Sequence, residues 1–571
     1  MTQYVGVAVS AGRVIGDVKV MASPITEPEL GKPLDALSRD GEAARIAPAA
    51  QAVQKALSKR AERAQGEAKA ILEATALMAS DTTLITTAEN LVKDDGLGAE
   101  RAVWQAGDEI IAMLVGLGGY MAEREADVRD VRSRIVAQLR GEDAPGIPDS
   151  DKPFVLAAVD LAPADTATLD VNRIIALITS DGGPQSHTAI LARQLGLPAV
   201  VAAKGVDKIK PNTRVYVDGA AGIVTDEIGD REERLAAAWA KLQDNPLSYE
   251  GGGAVLTDGT RIPLLANAGD EKDAVNAVAL KADGIGLFRT EFLFLDREEE
   301  PSLNEQVAAY GAVFKQFPGK KVIIRTIDAG ADKPLPFLTD AEEPNPALGV
   351  RAYRTSWEKR SVLLNQLEAI RLAADQAEAD VWVMAPMIAT LEDAEDFVAM
   401  ARKAGIKKPG IMIEIPSSAI TSDRLMRVAE FASIGTNDLT QYAMAADRML
   451  GTLAKLNDPW QPAVLALIRQ TTVGARAAGG DPEAFGENAK RPVGVCGEAA
   501  GDPALAVVLV GLGVNSLSMT PRLLPAVAKV LSTVSLDKAK ELAAKAISAP
   551  TADEAKSVVR GELTVLEEIG L

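Results

Sequence analysis

RIPLLANAGDEKDAVNAVALKADGIGLFRTEF, residues 261–292, holds two short apolar runs, IPLLANA and GIGLFRT, separated by a stretch of helical texture. Six further runs of the same kind follow: KVIIRTID, VWVMAPM, GIMIEIP, FASIGTND, PVGVCGE and NSLSMT. Eight strand candidates with helical texture between them are the pattern of a (β/α)8 barrel, whose reactive side chains cluster where the strands end. Arg289, Arg325, Glu414, Asn437, Asp438 and Cys496 all fall at or just beyond the ends of these runs. The uncharged stretch from Pro503 to Met519 is broken by Gly511, Gly513 and Asn515, so it reads as buried core rather than a membrane span.

Upstream, GlyGlyGly at 251–253 marks a boundary, and the charged segment Asp230–Leu242 before it reads as a linker helix. Apolar runs FVLAAVD, RIIALITSD, LPAVVAA and RVYVDG, spaced by helical or turn segments, indicate an α/β domain. From about Gly41 to Arg140 the texture is helical, with Val53, Leu57, Ala61, Ala64, Ala68 and Ile71 on one face and further helices expected over 81–93, 98–113 and 124–139. The opening stretch, YVGVAVSAGRVIGDVKV, reads as a strand pair, so the helical bundle interrupts the α/β unit. The expected organisation is an α/β domain over 1–22 and 145–228, a helical subdomain over 23–144, a linker helix and hinge over 229–253 and a TIM barrel over 254–571.

The 571 residues, 47% of them hydrophobic and 25% charged, fit several folded domains and exclude a disordered chain. A net charge of −19 argues against general binding to nucleic acid or an anionic membrane, so an anionic substrate needs a local basic pocket. The start, MTQYVGVAVSAG, has neither the basic residues nor the apolar run of a secretory signal, which predicts a cytoplasmic protein. One Cys and one His rule out an internal disulfide and any cluster of His or Cys around a metal.

That single His lies in DGGPQSHTAILARQLGLPAV, where a strand meets the Gly182–Gly183 turn, Ser186 is placed to cap, and a helix opens at His187 and ends near Gly196. The positive end of the helix disfavours an imidazolium, leaving a neutral ring able to take up a phosphoryl group. A plain turn or capping histidine is the alternative. The loop lacks the GxGxxG spacing of a dinucleotide site. At the barrel's strand ends, Arg289, Arg325, Arg351 and Arg448 offer planar forks for carboxylate and phosphate, which suggests a small polyanion. Glu414 and Asp438 are suited to Mg2+, with Asn437 beside them for a phosphate oxygen. Each alone would pass as an ordinary ion-pairing or capping residue; as a set at successive strand ends they favour function. Cys496 is either a small buried hydrophobe or, at a barrel mouth, a general acid.

Together, YMAEREADVRDV, the GGxxSHTAILAR loop, GLFRTEF, IRTIDAGADK, NPALGVRAYR, MIEIP, GTNDLTQY and VCGE resemble Enzyme I of the bacterial phosphoenolpyruvate-dependent sugar phosphotransferase system, over nearly the whole chain. The resemblance implies a swivelling phosphohistidine domain, an inserted helical subdomain that docks the carrier protein HPr near Leu77, Met78 and Leu84, and a barrel that binds phosphoenolpyruvate and dimerises. It implies His187 as phosphoryl acceptor, Arg289 and Arg325 as phosphoenolpyruvate ligands, Glu414 and Asp438 as Mg2+ ligands, Asn437 and Arg448 completing the substrate site, and Cys496 protonating the enolate to pyruvate. Pro184-Gln185 departs from the family, whose members usually carry a basic or apolar residue followed by Thr. The rivals are a phosphoenolpyruvate synthase or pyruvate phosphate dikinase, which need a large nucleotide-binding domain ahead of the His domain, and a non-catalytic scaffold, which would have lost some of these side chains.

Overall fold

In the computed structural model, the described residues run from 2 to 571 apart from 23–24, 63–74, 118–124, 143–144, 149, 162–168, 170–172, 184–185, 245–246, 296, 332, 340–342, 449, 480–489 and 570. The chain forms two units, Met1–Ala236 and Ala237–Leu571.

The first unit is built on eight strands: β1 (Gln3–Val5), β2 (Val7–Ser10), β3 (Arg13–Val20), β4 (Phe154–Ala158), β5 (Ile174–Thr179), β6 (Ala199–Val201), β7 (Arg214–Asp218) and β8 (Ile223–Thr225). They pair in the order β1-β8-β7-β3-β4-β5-β6-β2. The strand pair expected from the opening residues is not formed. β1 pairs with β8, β2 with β6, and β3 lies between β7 and β4. One residue, Gly6, separates β1 from β2, which is too short to reverse the chain into a hairpin. Strands lie roughly 4.8 Å apart, so the edges of a flat eight-stranded sheet would be some 30 Å apart. Because β1 and β2 are those edges and are contiguous, the sheet has to curl. Gly6 sits at the seam, where a Cβ would come 2.4 Å from the Val201 carbonyl oxygen.

Between β3 and β4 the chain forms helices Arg39–Ala43, Ile46–Ala61, Thr82–Asp95, Ala99–Leu117 and Glu125–Arg140, within a few residues of the expected spans. They share a core that includes Val53, Leu57, Leu84, Val92, Val103 and Ile135. Val53, Leu57 and Ala61 are buried as the helical periodicity requires; Ala64, Ala68 and Ile71 lie outside the described residues. Of the three side chains expected at the carrier-docking surface, Leu77 is 70% exposed, Met78 packs on the core and Leu84 is buried. Leu84 is therefore a core residue, on the inward face of its helix beside Ala88, and unavailable to a partner.

The second unit carries a hairpin, β9 (Ala254–Val255) and β10 (Arg261–Ile262), and then β11 (Leu264–Ala268), β12 (Ile285–Phe288), β13 (Lys321–Arg325), β14 (Asp380–Ala385), β15 (Pro409–Ile413), β16 (Ala432–Ile434), β17 (Val493–Val495) and β18 (Ser516–Met519). These eight close into a parallel barrel in chain order. Each of the eight apolar runs assigned to the barrel holds one of its strands. Leu287, Ile323, Trp382, Met384, Met412, Phe431 and Cys496 fill the interior, as expected of a packed rather than open barrel. Pro503–Gly511 forms a helix in which Pro503 to Val510 are all buried, and no helix among the described residues is long and apolar enough to cross a membrane.

The segment Gly251–Gly253 is not a free joint. All three glycines have φ near +80°, a conformation that other residues resist. It lets Gly252 N–H donate to Asp283 Oδ1 (2.6 Å) and Gly253 N–H to the Tyr249 hydroxyl (2.8 Å). The Tyr249 hydroxyl and Leu264 N–H both donate to Asp283 Oδ2. The glycines serve a clamp onto the barrel, which composition alone does not distinguish from a flexible boundary.

Candidate active site

β5 delivers the chain into Gly182, at φ +87°, and then into a nine-residue helix, His187–Leu195. Ser186 Oγ accepts from Ala189 N–H, and Gly196 closes the helix in the left-handed conformation. His187 is thus the first residue of the helix, where unpaired N–H groups concentrate positive potential. Its imidazole, like Pro184 and Gln185, lies outside what the structure describes. Thr188 anchors this helix start: its hydroxyl donates to Asp160 Oδ1 (2.6 Å) and accepts from Leu161 N–H. Neither Thr188 nor Asp160 was singled out from sequence.

The remaining candidates sit at the C-terminal rim of the barrel. Arg325 ends β13 and is buried with Arg351, and the two are joined through Asp328. Arg325 Nη2 donates to Glu291 Oε1 (2.9 Å), and its Nη1 lies 3.2 Å from Asp328 Oδ2. Arg351 Nη2 donates to Asp328 Oδ1 (2.8 Å), and its Nη1 lies 3.6 Å from Asp438 Oδ1. Arg448 Nη1 then lies 3.4 Å from Asp438 Oδ2. Glu291, Arg325, Asp328, Arg351, Asp438 and Arg448 therefore form one row of alternating charge, with Lys333 Nζ 3.6 Å from Asp328 as a branch. Burial penalises the Arg325 charge, but Glu291, Asp328 and Glu414 outweigh that and hold its proton firmly. Burial likewise works against ionised Asp328, and Arg325, Lys333 and Arg351 overcome it, so its carboxyl stays far below the usual range.

Arg289, one residue past β12, is half-buried. Its backbone N–H donates to the Ala268 carbonyl, but among the described residues its guanidinium has no hydrogen-bond or ion-pair partner, which leaves its fork free for an anion. Glu414 follows β15, is 1% exposed, and accepts Met387 N–H at 2.6 Å. Burial, then the charges of Asp438 and Asp328, push its carboxyl up to about 8. Gly435 keeps this corner open, since a Cβ there would lie 2.9 Å from Glu414 Oε2. Asn437 is the second residue of the helix Thr436–Met444 after β16, and its Oδ1 accepts Glu498 N–H. Cys496, next after β17, is buried with Sγ 3.6 Å from the Ile434 carbonyl, and burial raises the thiol's pKa. Its own carbonyl accepts from Asn267 Nδ2, whose Oδ1 accepts from Ser518 Oγ.

The structure thus brings Arg351 and Arg448 into contact with Asp438, and Arg325 to Arg351 through Asp328, with Arg289, Glu414, Asn437 and Cys496 on the same rim; His187 belongs to the other unit. Sequence reasoning missed Glu291, Asp328 and Lys333. A signal was present, because Glu291 lies two residues beyond Arg289 in GLFRTEF and Asp328 three beyond Arg325 in IRTIDAGADK.

Known proteins place this architecture. Residues 5–124 match the N-terminal domain of phosphoenolpyruvate-utilising enzymes, 150–222 their mobile domain and 248–536 their phosphoenolpyruvate-binding domain. A phosphoenolpyruvate-protein phosphotransferase of Streptomyces coelicolor is 46% identical over 98% of this chain and 99% of its own length. Proteins of the same name from Staphylococcus carnosus (33%, covering 98% of each chain) and Haloferax volcanii (38%, covering 87% of this chain and 88% of the other) are also similar. Joined to the barrel, the curled sheet and its inserted helices, these matches mean that the chain belongs to the phosphoenolpyruvate-utilising enzymes and, among them, to the phosphoenolpyruvate-protein phosphotransferases of the Enzyme I type.

Proposed function

We propose that the chain takes the phosphoryl group of phosphoenolpyruvate onto His187, releases pyruvate, and passes the group to a histidine of the carrier HPr, as the first step of sugar phosphotransferase uptake in the cytoplasm. The observation that carries this reading is the free Arg289 fork beside buried Arg325 and Arg351 on one barrel rim. Phosphoenolpyruvate bears a carboxylate and a phosphate, and planar forks suit both. In a loose phosphoryl-transfer transition state, fixed cations around the transferring group lower the barrier without reorganising. Carboxylates already hold Arg325 and Arg351 in place, so little orientation remains to be done when substrate arrives. His187 attacks phosphorus in line, and the unit that carries it moves between barrel and carrier. The reading is tested by adding HPr to the protein with phosphoenolpyruvate and following the carrier by intact mass. A phosphorylated carrier histidine supports it, and pyruvate release with no phosphorylated carrier refutes it.

Two features accord with Mg2+ at Glu414 and Asp438. Asp438 Oδ1 is buried and accepts no hydrogen bond among the described residues, and Glu414 is a carboxylate whose ionisation the surrounding protein leaves unfavourable. A hard cation that takes one or two carboxylates and completes its shell with substrate oxygens fits such a pair. Bound there, it would neutralise charge on the phosphate. In metal-free protein the raised Glu414 pKa means that its contribution to stability is complete below the ordinary carboxylate value of roughly 4.3 and is lost as pH rises through about 8. With chelator present, the barrel unit is therefore expected to melt lower at pH 8 than at pH 5, and Glu414→Gln to flatten that slope. A slope unchanged in the variant would remove Glu414 as its source.

Cys496 is the acid in this reading. The enolate becomes pyruvate only when its methylene carbon is protonated; until then the phosphoryl group can return. A buried thiol with a raised pKa keeps its proton until the enolate forms beside it. Cys496→Ala is expected to slow steady-state pyruvate release by roughly 10²–10⁴ while His187 is still phosphorylated. Unaltered release would exclude the role. A homodimer formed through the barrel accords with the exposed Leu348, Trp357, Ile420 and Leu450 on that unit, and sedimentation of the full chain tests it.

A further inference from the structure

Gln366 lies on the helix Arg360–Asp375, outside the barrel, and is completely buried. Its Oε1 accepts Ile327 N–H at 2.9 Å, two residues beyond Arg325. Its Nε2 lies within hydrogen-bond distance of Thr290 Oγ1 (3.2 Å), the residue after Arg289, and of the Tyr310 hydroxyl (3.1 Å). Thr290 Oγ1 in turn donates to the Arg325 carbonyl at 3.0 Å, and the Tyr310 hydroxyl donates to Gln306 Oε1 at 3.2 Å. Thr290, Tyr310 and Gln306 are as buried as Gln366.

The polarity of this network is fixed. Thr290 gives its hydrogen to a carbonyl and Tyr310 gives its own to an amide oxygen, so both can only accept from Gln366. The Gln366 amide must therefore spend both Nε2 hydrogens on them while its oxygen takes Ile327 N–H. A carboxylate at that position could supply neither donor, and an apolar side chain none of the three bonds. Through this one amide, the residue after Arg289 and the backbone after Arg325 are tied to the same point behind the rim, and Thr290 ties them to each other.

We propose that Gln366, acting through Thr290, is a positioning residue for phosphoenolpyruvate binding: it sets the spacing and aim of the Arg289 and Arg325 forks, although neither Gln366 nor Thr290 touches the substrate. The proposal rests on the reading that these two arginines bind phosphoenolpyruvate. A buried polar network works as a unit, so loss of one member spoils the others' geometry.

The test uses the full chain with Mg2+, phosphoenolpyruvate and HPr, comparing Gln366→Met, Thr290→Val, Thr290→Ser, the Gln366→Met/Thr290→Val double variant and Arg289→Ala. Thr290→Val keeps shape and loses the hydroxyl, so the test stands if Gln366→Met fails to fold. The expected result is a KM for phosphoenolpyruvate raised on the order of tenfold in Gln366→Met and Thr290→Val, with a smaller change in kcat. Thr290→Ser should restore the KM, and the double variant should be no worse than the poorer single. Transfer from phosphorylated HPr back to His187, which needs no barrel chemistry, should be unchanged. If folded Thr290→Val and Gln366→Met keep the wild-type KM while Arg289→Ala raises it, the positioning role is overturned and the arginine reading survives. If Arg289→Ala also leaves the KM unchanged, both fall. Losses that multiply in the double variant would likewise refute a shared network.

Discussion

Incubated with phosphoenolpyruvate, Mg2+ and no nucleotide, the protein is expected to gain a single acid-labile phosphoryl group detectable by intact mass, and His187→Ala is expected to gain none. The effect should be complete, since His187 is the only histidine in 571 residues and no other imidazole can substitute. The acid lability matters, because a phosphorylated Ser or Thr would survive acid that hydrolyses a phosphohistidine. The division of the chain sharpens the test: Arg289, Arg325 and Glu414 belong to the barrel unit and His187 to the other. His187→Ala should therefore bind phosphoenolpyruvate as wild type does while failing to accept its phosphoryl group. A variant that still acquires an acid-labile adduct would move the acceptor elsewhere, and modification of wild type only with ATP would point to dikinase chemistry.

The barrel was legible because each strand is a short apolar run, and several of those runs end on a charged or polar residue, a pattern set locally. Phe288-Arg289, Ile324-Arg325 and Ile413-Glu414 each mark in sequence where a strand leaves the core and reaches the rim. The helix at His187 was legible for the same reason, since its cap, its first residue and its closing glycine are all neighbours in sequence. The partners of β1, β2 and β3 were not, because each lies more than a hundred residues away and the local alternation fits a hairpin equally well. Gly251–Gly253 failed for a related reason: Asp283, which Gly252 reaches through its positive φ, is 31 residues downstream. Of the site, the arginines stood out because several planar, permanently charged forks in an acidic chain suggest a small polyanion. Asp328 did not, because an aspartate in a loop ordinarily faces water. Gln366 was least visible, being a polar residue within LLNQLEA whose burial depends wholly on what the helix packs against.

Arg325→Met is expected to lower kcat/KM for phosphoenolpyruvate by about 10³ or more, and to destabilise the barrel unit as well. The catalytic loss follows from removing a fixed cation from a site where charge moves between oxygens; one such donor is worth roughly 10²–10³, and the neighbouring forks lose their alignment with it. The stability loss has a separate origin. Asp328 is buried and Glu291 largely so against Arg325, and stripping one partner from a buried pair costs about 3–5 kcal/mol, chiefly by leaving the other charge uncompensated. Asp328 retains Arg351 and Lys333, so most of the strain should fall on Glu291, which among the described residues keeps only the Asp328 N–H. Arg325→Met/Glu291→Gln removes that orphaned charge. It should therefore recover much of the lost stability in a denaturant or thermal titration while recovering none of the activity. Arg325→Lys makes the complementary point: it restores the charge, and with it part of the stability, but a single ammonium cannot span Glu291, Asp328 and a substrate oxygen as a fork does. A lysine variant with activity within tenfold of wild type would show that charge alone suffices at this strand end. A double variant as unstable as Arg325→Met would show that Glu291 is not where the cost resides.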